Sequence, residues 1–411
     1  MQNTPKGFRV HIGLFGRRNV GKSSLLNAIT KQEVSIVSAV AGTTTDPIEK
    51  PMEILPLGPV LFIDTAGVDD VGTLGALRVE KTRKIFDRVD LGIILTENNV
   101  WGEFEEQLLI ELENRRVPLI IAFNKIDLYP VDNIILNNVA NKQYAHGYKV
   151  VAMSTKNQKS IDDFRETLLS VANSSVDHNV ILRDLVGAGE LAILVTPIDK
   201  EAPKGRLILP EVQAIRDVLD GDAYCIVTQQ NRLKEALQSL NKPPKLVVTD
   251  SQCFAEVAQI TPENIPLTSF SILFSRLKGD LVRQAVGATA INKLAMQDKV
   301  LICEACTHHP ICDDIGREKI PKLLQKKAGK PLEIQVVSGH SFPTDLSMYK
   351  LVVHCGACMW NRREVLSRIS HSNNLGIPFT NYGMAIAHCL GILPRALQSF
   401  PEAAMAYNKA L

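Results

Sequence analysis

The stretch Gly16 to Ser24, GRRNVGKSS, limits what this chain can become more than any other. It fits the pattern G-x-x-x-x-G-K-S/T, in which successive backbone N–H groups curl around nucleotide phosphates. Lys22 is then expected to reach the β and γ phosphates, and Ser23 to offer its hydroxyl to Mg²⁺. Gly16 and Gly21 stand where the backbone must approach an anion or take φ > 0. The flanks agree. FRVHIGLF reads as a strand and KSSLLNAIT as a helix, so the phosphates would rest on a helix N-terminus.

Up to about residue 172 the chain alternates apolar strand-like runs with helical stretches. Phe8 to Phe15, Val60 to Asp64, Leu91 to Thr96, Pro118 to Phe123 and Lys149 to Met153 read as strands. That alternation predicts an α/β fold with a parallel sheet covered on both faces, whose ligands bind at the carboxyl ends of the strands. The remaining motifs fall at those ends. Asp64-Thr65-Ala66-Gly67 follows VLFID, so Asp64 is expected to hold Mg²⁺ through a water and the Gly67 amide to meet the γ-phosphate. Asn124-Lys125-Ile126-Asp127 follows PLIIAF, and the Asp127 carboxylate suits guanine N1–H and its 2-amino group. Adenine would leave that carboxylate unpaired, so the residue reads guanine by rejecting adenine.

Ser154 and Thr155, with Lys156, fit a last loop closing over the base. Within Gly42 to Asp46, Thr44 is the candidate for a second hydroxyl on Mg²⁺, beside Ser23 and Asp64. The nucleotide cradle then comprises Gly16, Asn19, Val20, Gly21, Lys22, Ser23 and Ser24, with Lys22, Thr44 and Gly67 as the catalytic set. Thr43 to Asp46 and Gly67 to Leu77 are the parts expected to rearrange with the γ-phosphate.

A chain of 411 residues with 45% hydrophobic and 22% charged residues is an ordinary globular protein of two or three domains. Its formal net charge of +2 gives no long-range field to favour nucleic acid or membrane as the main partner. MQNTPKGFRV has no apolar signal core and no run of about 20 apolar residues follows, so a cytoplasmic location is expected. Eight clustered cysteines point to metal or redox chemistry rather than a disulfide framework.

Composition divides the chain into a nucleotide-binding domain over 1–172, a polar linker over 173–185, and two smaller parallel α/β domains over 186–269 and 270–411. The middle one has no phosphate loop, acid/base pair or ligand cluster, and Cys225 and Cys253 read as small buried residues. A fold without visible chemistry suits association, so oligomerisation is expected through it. In the last third, the strand KVLIC leads to Cys306 and His308, and the strand KLVVHC leads to His354, Cys355 and Cys358. A C-x-x-C opening the helix NRREVLSRI would have its thiolates stabilised by helix amides. Adjacent strand ends would bring Cys306 to Cys355 and Cys358.

Three readings fit that point. Structural zinc would use C-x2-C twice, Cys303 with Cys306 and Cys355 with Cys358, but the 48 intervening residues exceed a zinc-ribbon gap. A [4Fe–4S] cluster would take Cys306, Cys355 and Cys358, with His308 or His354 near its fourth iron. Buried free thiols are the third reading.

The motifs of the first domain resemble the translation-factor-related small GTPases, in the branch of the tRNA-modification GTPase and the Era-like proteins. Val68 stands where Ras-like proteins carry a water-orienting glutamine. Asn19 matches the asparagine that coordinates K⁺ in potassium-activated members, where the ion offsets transition-state charge. Cys306-x-His308, 45 residues, then His354-Cys355-x-x-Cys358, downstream of such a domain, resembles the signature of the [FeFe]-hydrogenase maturation GTPases.

The resemblance spans essentially the whole chain. It implies GTP or GDP, Mg²⁺ and a [4Fe–4S] cluster as cofactors, and a homodimer or higher homo-oligomer formed through the middle domain. The implied task is to scaffold or carry the hydrogenase di-iron subcluster, working with two radical-SAM maturases and delivering to apo-[FeFe]-hydrogenase. Cys303 and Cys312 fall outside the matched positions. A cube held by three thiolates keeps one iron exchangeable, as a carrier requires. The competing class is an RNA- or ribosome-associated GTPase stapled by zinc, which the near-neutral charge disfavours. Arg362 and Arg363 read as a solvated helix face.

Overall fold

The computed structural model describes residues 4–30, 48–65, 85–142, 147–175, 180–198, 207–305 and 314–411. They fall into two units, Met1–His178 and Asn179–Leu411. In the first, β1 (Val10–Phe15), β2 (Ile48–Ile54), β3 (Gly58–Asp64), β4 (Leu91–Glu97), β5 (Leu119–Asn124) and β6 (Tyr148–Ala152) form one sheet in the order β2-β3-β1-β4-β5-β6.

The strands read from sequence are all present and parallel. β2 pairs antiparallel with β3 at the edge and has no counterpart in the sequence reading. Its sequence IEKPMEI carries charges and Pro51, residues that an edge strand tolerates and a central strand does not.

Alternate residues of each strand serve opposite faces. Leu14, Phe62, Ile93 and Ile120 join Leu25 and Leu26 of α1 (Lys22–Thr30), together with Phe164 and Leu168, which lie on a long helix ending at Ser175. Phe15, Ile63, Ile94 and Ile121 join Leu109 and Leu112 of α2 (Glu103–Asn114). Burying each such side chain contributes about 1.5–3 kcal/mol, which explains why parallel strands read as unbroken apolar runs. α3 (Asn133–Ala140) starts at Asp132, whose carboxylate accepts from the Ile134 amide at 2.8 Å. The long helix, α4 (Gln158–Ser175), completes the unit.

The second unit holds two parallel sheets. The first has the order β10-β9-β7-β8, from β7 (Leu191–Val195), β8 (Tyr224–Thr228), β9 (Leu246–Thr249) and β10 (Leu267–Ser269). Its helices are α5 (Arg183–Val186), α6 (Leu209–Asp220), α7 (Leu233–Gln238) and α8 (Phe254–Ile260). Asp217 on α6 gathers the amides of Ile181, Leu182 and Arg183 at 3.0, 2.7 and 2.9 Å, pinning the unit's first turn. Cys225 lies half-buried in β8 and Cys253 half-buried in the turn after β9.

The second sheet has the order β12-β11-β13-β14, from β11 (Lys299–Glu304), β12 (Glu333–Ser338), β13 (Tyr349–His354) and β14 (Phe379–Asn381). Between the sheets run α9 (Phe270–Lys278) and α10 (Leu281–Ala288). α9 leaves β10 directly, starts on the Ser269 hydroxyl, and packs on helices of both sheets. α11 (Ile320–Ala328) follows β11, α12 (Arg362–Asn374) follows β13, and α13 (Tyr382–Cys389), α14 (Leu393–Ala396) and α15 (Pro401–Ala410) close the chain. Gly287 of α10 presses on β14, where a Cβ would collide with the Phe379 backbone. No helix among the described residues is long and apolar enough to cross a membrane.

Candidate functional site

At the carboxyl end of β1 the chain turns through the phosphate-loop residues before entering α1. Gly16 at φ +139° and Gly21 at φ +99° hold conformations closed to other residues, and neither has room for a side chain. A Cβ on Gly16 would strike the Leu95 carbonyl, and one on Gly21 the Asn124 amide nitrogen. Asn19 takes φ +65° between them and is exposed. Lys22 is buried, and its ammonium donates to the carbonyls of Gly16 at 2.7 Å and Arg17 at 2.8 Å, so it spans the loop's mouth.

The motif after β5 braces this loop from behind. Asn124 Nδ2 donates to the Val20 carbonyl at 2.8 Å, and Lys125 Nζ donates to the Asn19 carbonyl at 2.7 Å. Thr155 N donates to Asn124 Oδ1 at 3.3 Å, tying in the loop after β6. Ser154 Oγ donates to Asp127 Oδ1 at 2.6 Å, and Lys156 lies 3.5 Å from its other oxygen. The Ser154 bond holds the Asp127 carboxyl below its ordinary pKa, which keeps it an anionic acceptor able to face a purine edge.

Asp64, at the end of β3, is buried, and its Oδ1 has no hydrogen-bond partner among the described residues. Burial raises its pKa while Lys22 and Lys50 oppose the rise. An orphaned carboxylate oxygen beside the phosphate loop fits a hydrated divalent cation, and Ser23 opens α1 on the same rim. Thr44 and Gly67, expected to complete the catalytic set, lie outside the described residues, as does Val68.

One brace was not legible in the sequence. Arg17 Nε and Nη2 donate to the two oxygens of fully buried Glu105 at 2.7 and 3.0 Å, while its guanidinium lies 5.2 Å from the Phe104 ring centroid. The pair spans 88 residues of sequence, and no spacing rule joins them.

The cysteine-bearing rim lies at the carboxyl edge of the second unit's second sheet. β11 and β13 are parallel neighbours with Cys303 opposite His354, and the Cys355 amide donates to the Cys303 carbonyl at 2.8 Å. Ala305, the residue before Cys306, donates its N–H to Cys355 Sγ at 3.0 Å. Cys306, His308 and Cys312 themselves lie outside the described residues. On the same rim, Arg317 meets buried Glu304 at 3.1 Å and Ser338 donates to that carboxylate at 2.8 Å. Among the described residues, no three His, Cys, Asp or Glu side chains form a metal-binding group.

The C-x-x-C does not open a helix as its sequence suggested. α12 begins at Arg362, where Asn361 caps the Glu364 amide at 3.3 Å. Cys355 and Cys358 occupy the loop before it, both half-buried. What meets this loop instead is Lys278, only 3% exposed, whose ammonium donates to the carbonyls of Ala357 at 3.3 Å, Cys358 at 3.0 Å and Trp360 at 2.5 Å. Burial pushes its pKa down to about 8, against the pull of Cys358 and Cys355, which leaves it cationic at neutral pH. Arg362 is no solvated face residue. Its guanidinium donates to the Arg276 and Leu277 carbonyls at 3.1 and 2.6 Å, capping α9.

His354 is fully buried and packs 5.7 Å from Phe379, centroid to centroid. Its Nδ1–H donates to the Cys355 carbonyl at 2.8 Å, and Nε2 faces Arg368 Nη1 at 3.3 Å. Burial, then Arg368, push its pKa down to about 3, so the ring is neutral with both nitrogens engaged. That arrangement suits orienting the Cys355 loop. Cys303 packs with Val352, Trp360 and Ile369, and burial pushes its thiol up to about 12. It is a core residue with no ready thiolate.

The donor set fits a thiolate-held group. Cys355 and Cys358 flank Gly356, where a Cβ would meet nothing within 4 Å, and the buried hydroxyl of Tyr382 has no hydrogen-bond partner among the described residues. Cys355 and Cys303 both bear electrostatically on that hydroxyl, whose pKa burial raises first.

Known proteins resemble this chain in both units. Residues 11–125 match the family model for a 50S ribosome-binding GTPase. GTPase Der of Wolinella succinogenes is 31% identical over 172 residues, covering 39% of this chain and 36% of that protein. The tRNA modification GTPase MnmE of Chromobacterium violaceum is 31% identical over 175 residues, covering 42% and 37%. The chain thus spans about a third of the length of the curated relatives it matches. The G domain of the T. maritima FeoB iron transporter superposes with a TM-score of 0.31 at 23% identity, covering 40% of this chain and 99% of that one. Residues 181–279 match the hydrogen maturase F dimerization domain and residues 283–399 the hydrogen maturase F tetramerization domain. With a P-loop GTPase domain followed by both of these domains, the chain belongs to the hydrogen maturase F family.

Proposed function

We propose that the protein is a GTP-hydrolysing scaffold that holds a [4Fe–4S] cluster and carries the di-iron subcluster of [FeFe]-hydrogenase to its apo-enzyme. The observation that carries the cluster reading is the 3.0 Å hydrogen bond from the Ala305 amide to Cys355 Sγ. It sets Ala305, the residue before Cys306, against the Cys355-x-x-Cys358 loop, which supports a site shared by the three thiols although 48 residues separate Cys306 from Cys355. Cys306, Cys355 and Cys358 would hold the cluster, leaving one iron for an exchangeable ligand, with His308 the remaining candidate near it. When bound, the cluster supplies that open iron as a dock for cargo. His354 orients the Cys355 carbonyl, and the Ala305 amide stabilises the thiolate.

In the first unit the amides of the phosphate loop and Lys22 neutralise phosphate charge, and Asp127, fixed by Ser154, selects guanine. Ser23, Thr44 and Asp64 would hold Mg²⁺, which supplies charge neutralisation at the β and γ oxygens. The Gly67 amide would meet the γ-phosphate. Asn19, beside the loop's anionic contents, is the residue assigned to K⁺. Equal GTP turnover in KCl and NaCl would remove that assignment.

The homo-oligomer implied by the matched dimerization and tetramerization domains belongs to the same reading, as do the two radical-SAM maturases as partners. Protein purified under argon should be brown, carry about four irons per chain and give the signal of a reduced cubane with dithionite. Cys355→Ser should lose most of that iron. A colourless protein with stoichiometric zinc would overturn the cluster reading and leave the GTPase reading standing.

A further inference from the structure

The end of α9 and the cysteine loop clasp each other. Lys278 gives its ammonium to three carbonyls of residues 357–360, and Arg362, at the far end of that loop, caps two carbonyls of α9. A buried ammonium is costly unless its donors are met, and here a loop of irregular backbone meets them. The dependence runs both ways. Without the cation, the carbonyls of Ala357, Cys358 and Trp360 would lose a shared donor, and the turn carrying Cys358 would lose its shape.

The ammonium sits 3.0 Å from the Cys358 carbonyl, so its charge acts at short range on the loop that carries both cysteines. Cys358 and Cys355 are the groups whose charge that field meets. α9 grows directly out of β10, so the cation beside the cysteines belongs to the region matched by the dimerization domain, while the cysteines belong to the next.

We propose that Lys278 is a positioning residue of the cysteine site: it fixes the 357–360 loop and sets a positive charge beside a cluster held by Cys355 and Cys358. The inference rests on the cluster reading above. A fixed cation favours the more negative, reduced form of such a cluster, so it raises the reduction potential.

The test uses the full chain reconstituted with iron and sulfide, comparing wild type, Lys278→Met and Lys278→Arg. Redox titration followed by electron paramagnetic resonance should find a more negative midpoint potential for Lys278→Met, restored toward wild type by Lys278→Arg. Loss of iron to a chelator should be about tenfold faster in Lys278→Met. Should Lys278→Met not fold, Lys278→Gln takes its place with the same expectations. An unchanged midpoint potential in the neutral variant overturns the proposal even if iron leaks faster. Wild type that takes up no iron overturns the cluster reading itself, and the two failures are told apart by that control.

Discussion

Asn124 donates its side-chain amide to the Val20 carbonyl at 2.8 Å, joining the base-reading motif to the phosphate loop 104 residues earlier in sequence. Its carbonyl oxygen accepts from Thr155, so one side chain braces two of the loops that would surround a nucleotide. Asn124→Ala leaves the buried Val20 carbonyl without this donor. Affinity for GTP and GDP should fall together, by about 2 kcal/mol, or some thirtyfold. Titration with a fluorescent guanine nucleotide checks it, and unchanged affinity would show the brace to be dispensable.

Gly287 sets how closely α10 approaches β14. A Cβ there would lie 2.7 Å from the Phe379 carbonyl carbon and 3.0 Å from its nitrogen, and strand backbone cannot step aside as a side chain can. Gly287→Ala should destabilise the second unit by about 2–3 kcal/mol, although alanine is the better helix former. A urea curve read by tryptophan fluorescence in a Trp101→Phe background, where Trp360 of the second unit is the remaining probe, checks it, and an unchanged midpoint would show that the contact yields.

His388 gives the second unit an acid-sensitive lock. Its ring bonds the Tyr407 hydroxyl at 2.7 Å and the Asn292 side-chain oxygen at 2.9 Å, and burial, aided by Lys327, pushes its pKa from 6.5 to about 4. The unfolded chain therefore binds the proton more tightly than the folded one. The stability contribution is complete above pH 6.5 and is lost as pH falls through about 4. Between pH 7.5 and 4.5 it should amount to something on the order of 2 kcal/mol. Urea midpoints across that range should fall less steeply for His388→Gln than for wild type, and parallel slopes would remove His388 as the cause.

What the sequence disclosed was chemistry tied to local pattern. The phosphate loop, Asp64 and Asn124 could be placed because each follows an apolar run whose end is a strand end. β2 escaped because IEKPMEI mixes charges and a proline with its apolar residues, and only Ile54 and half-buried Met52 reach the core. The cysteine pair was legible as a spacing, but its setting was not. Lys278 looks like any helix-terminal lysine in sequence, and Arg362 like any surface arginine, since only tertiary packing brings Lys278 to the carbonyls of residues 357–360 and Arg362 to those of Arg276 and Leu277. Arg17 and Glu105 were hidden for the same reason.

The hydrogen bond between the Cys355 amide and the Cys303 carbonyl has a further consequence. A rung of the β11–β13 ladder sets where Cys355 leaves the sheet beside Cys303, independently of the path the chain takes through α11 and β12 before returning at β13. A residue gained or lost in the loops of that path would leave the register of Cys303 and Cys355 in place, so the 45 residues separating His308 from His354 record a route rather than a tolerance.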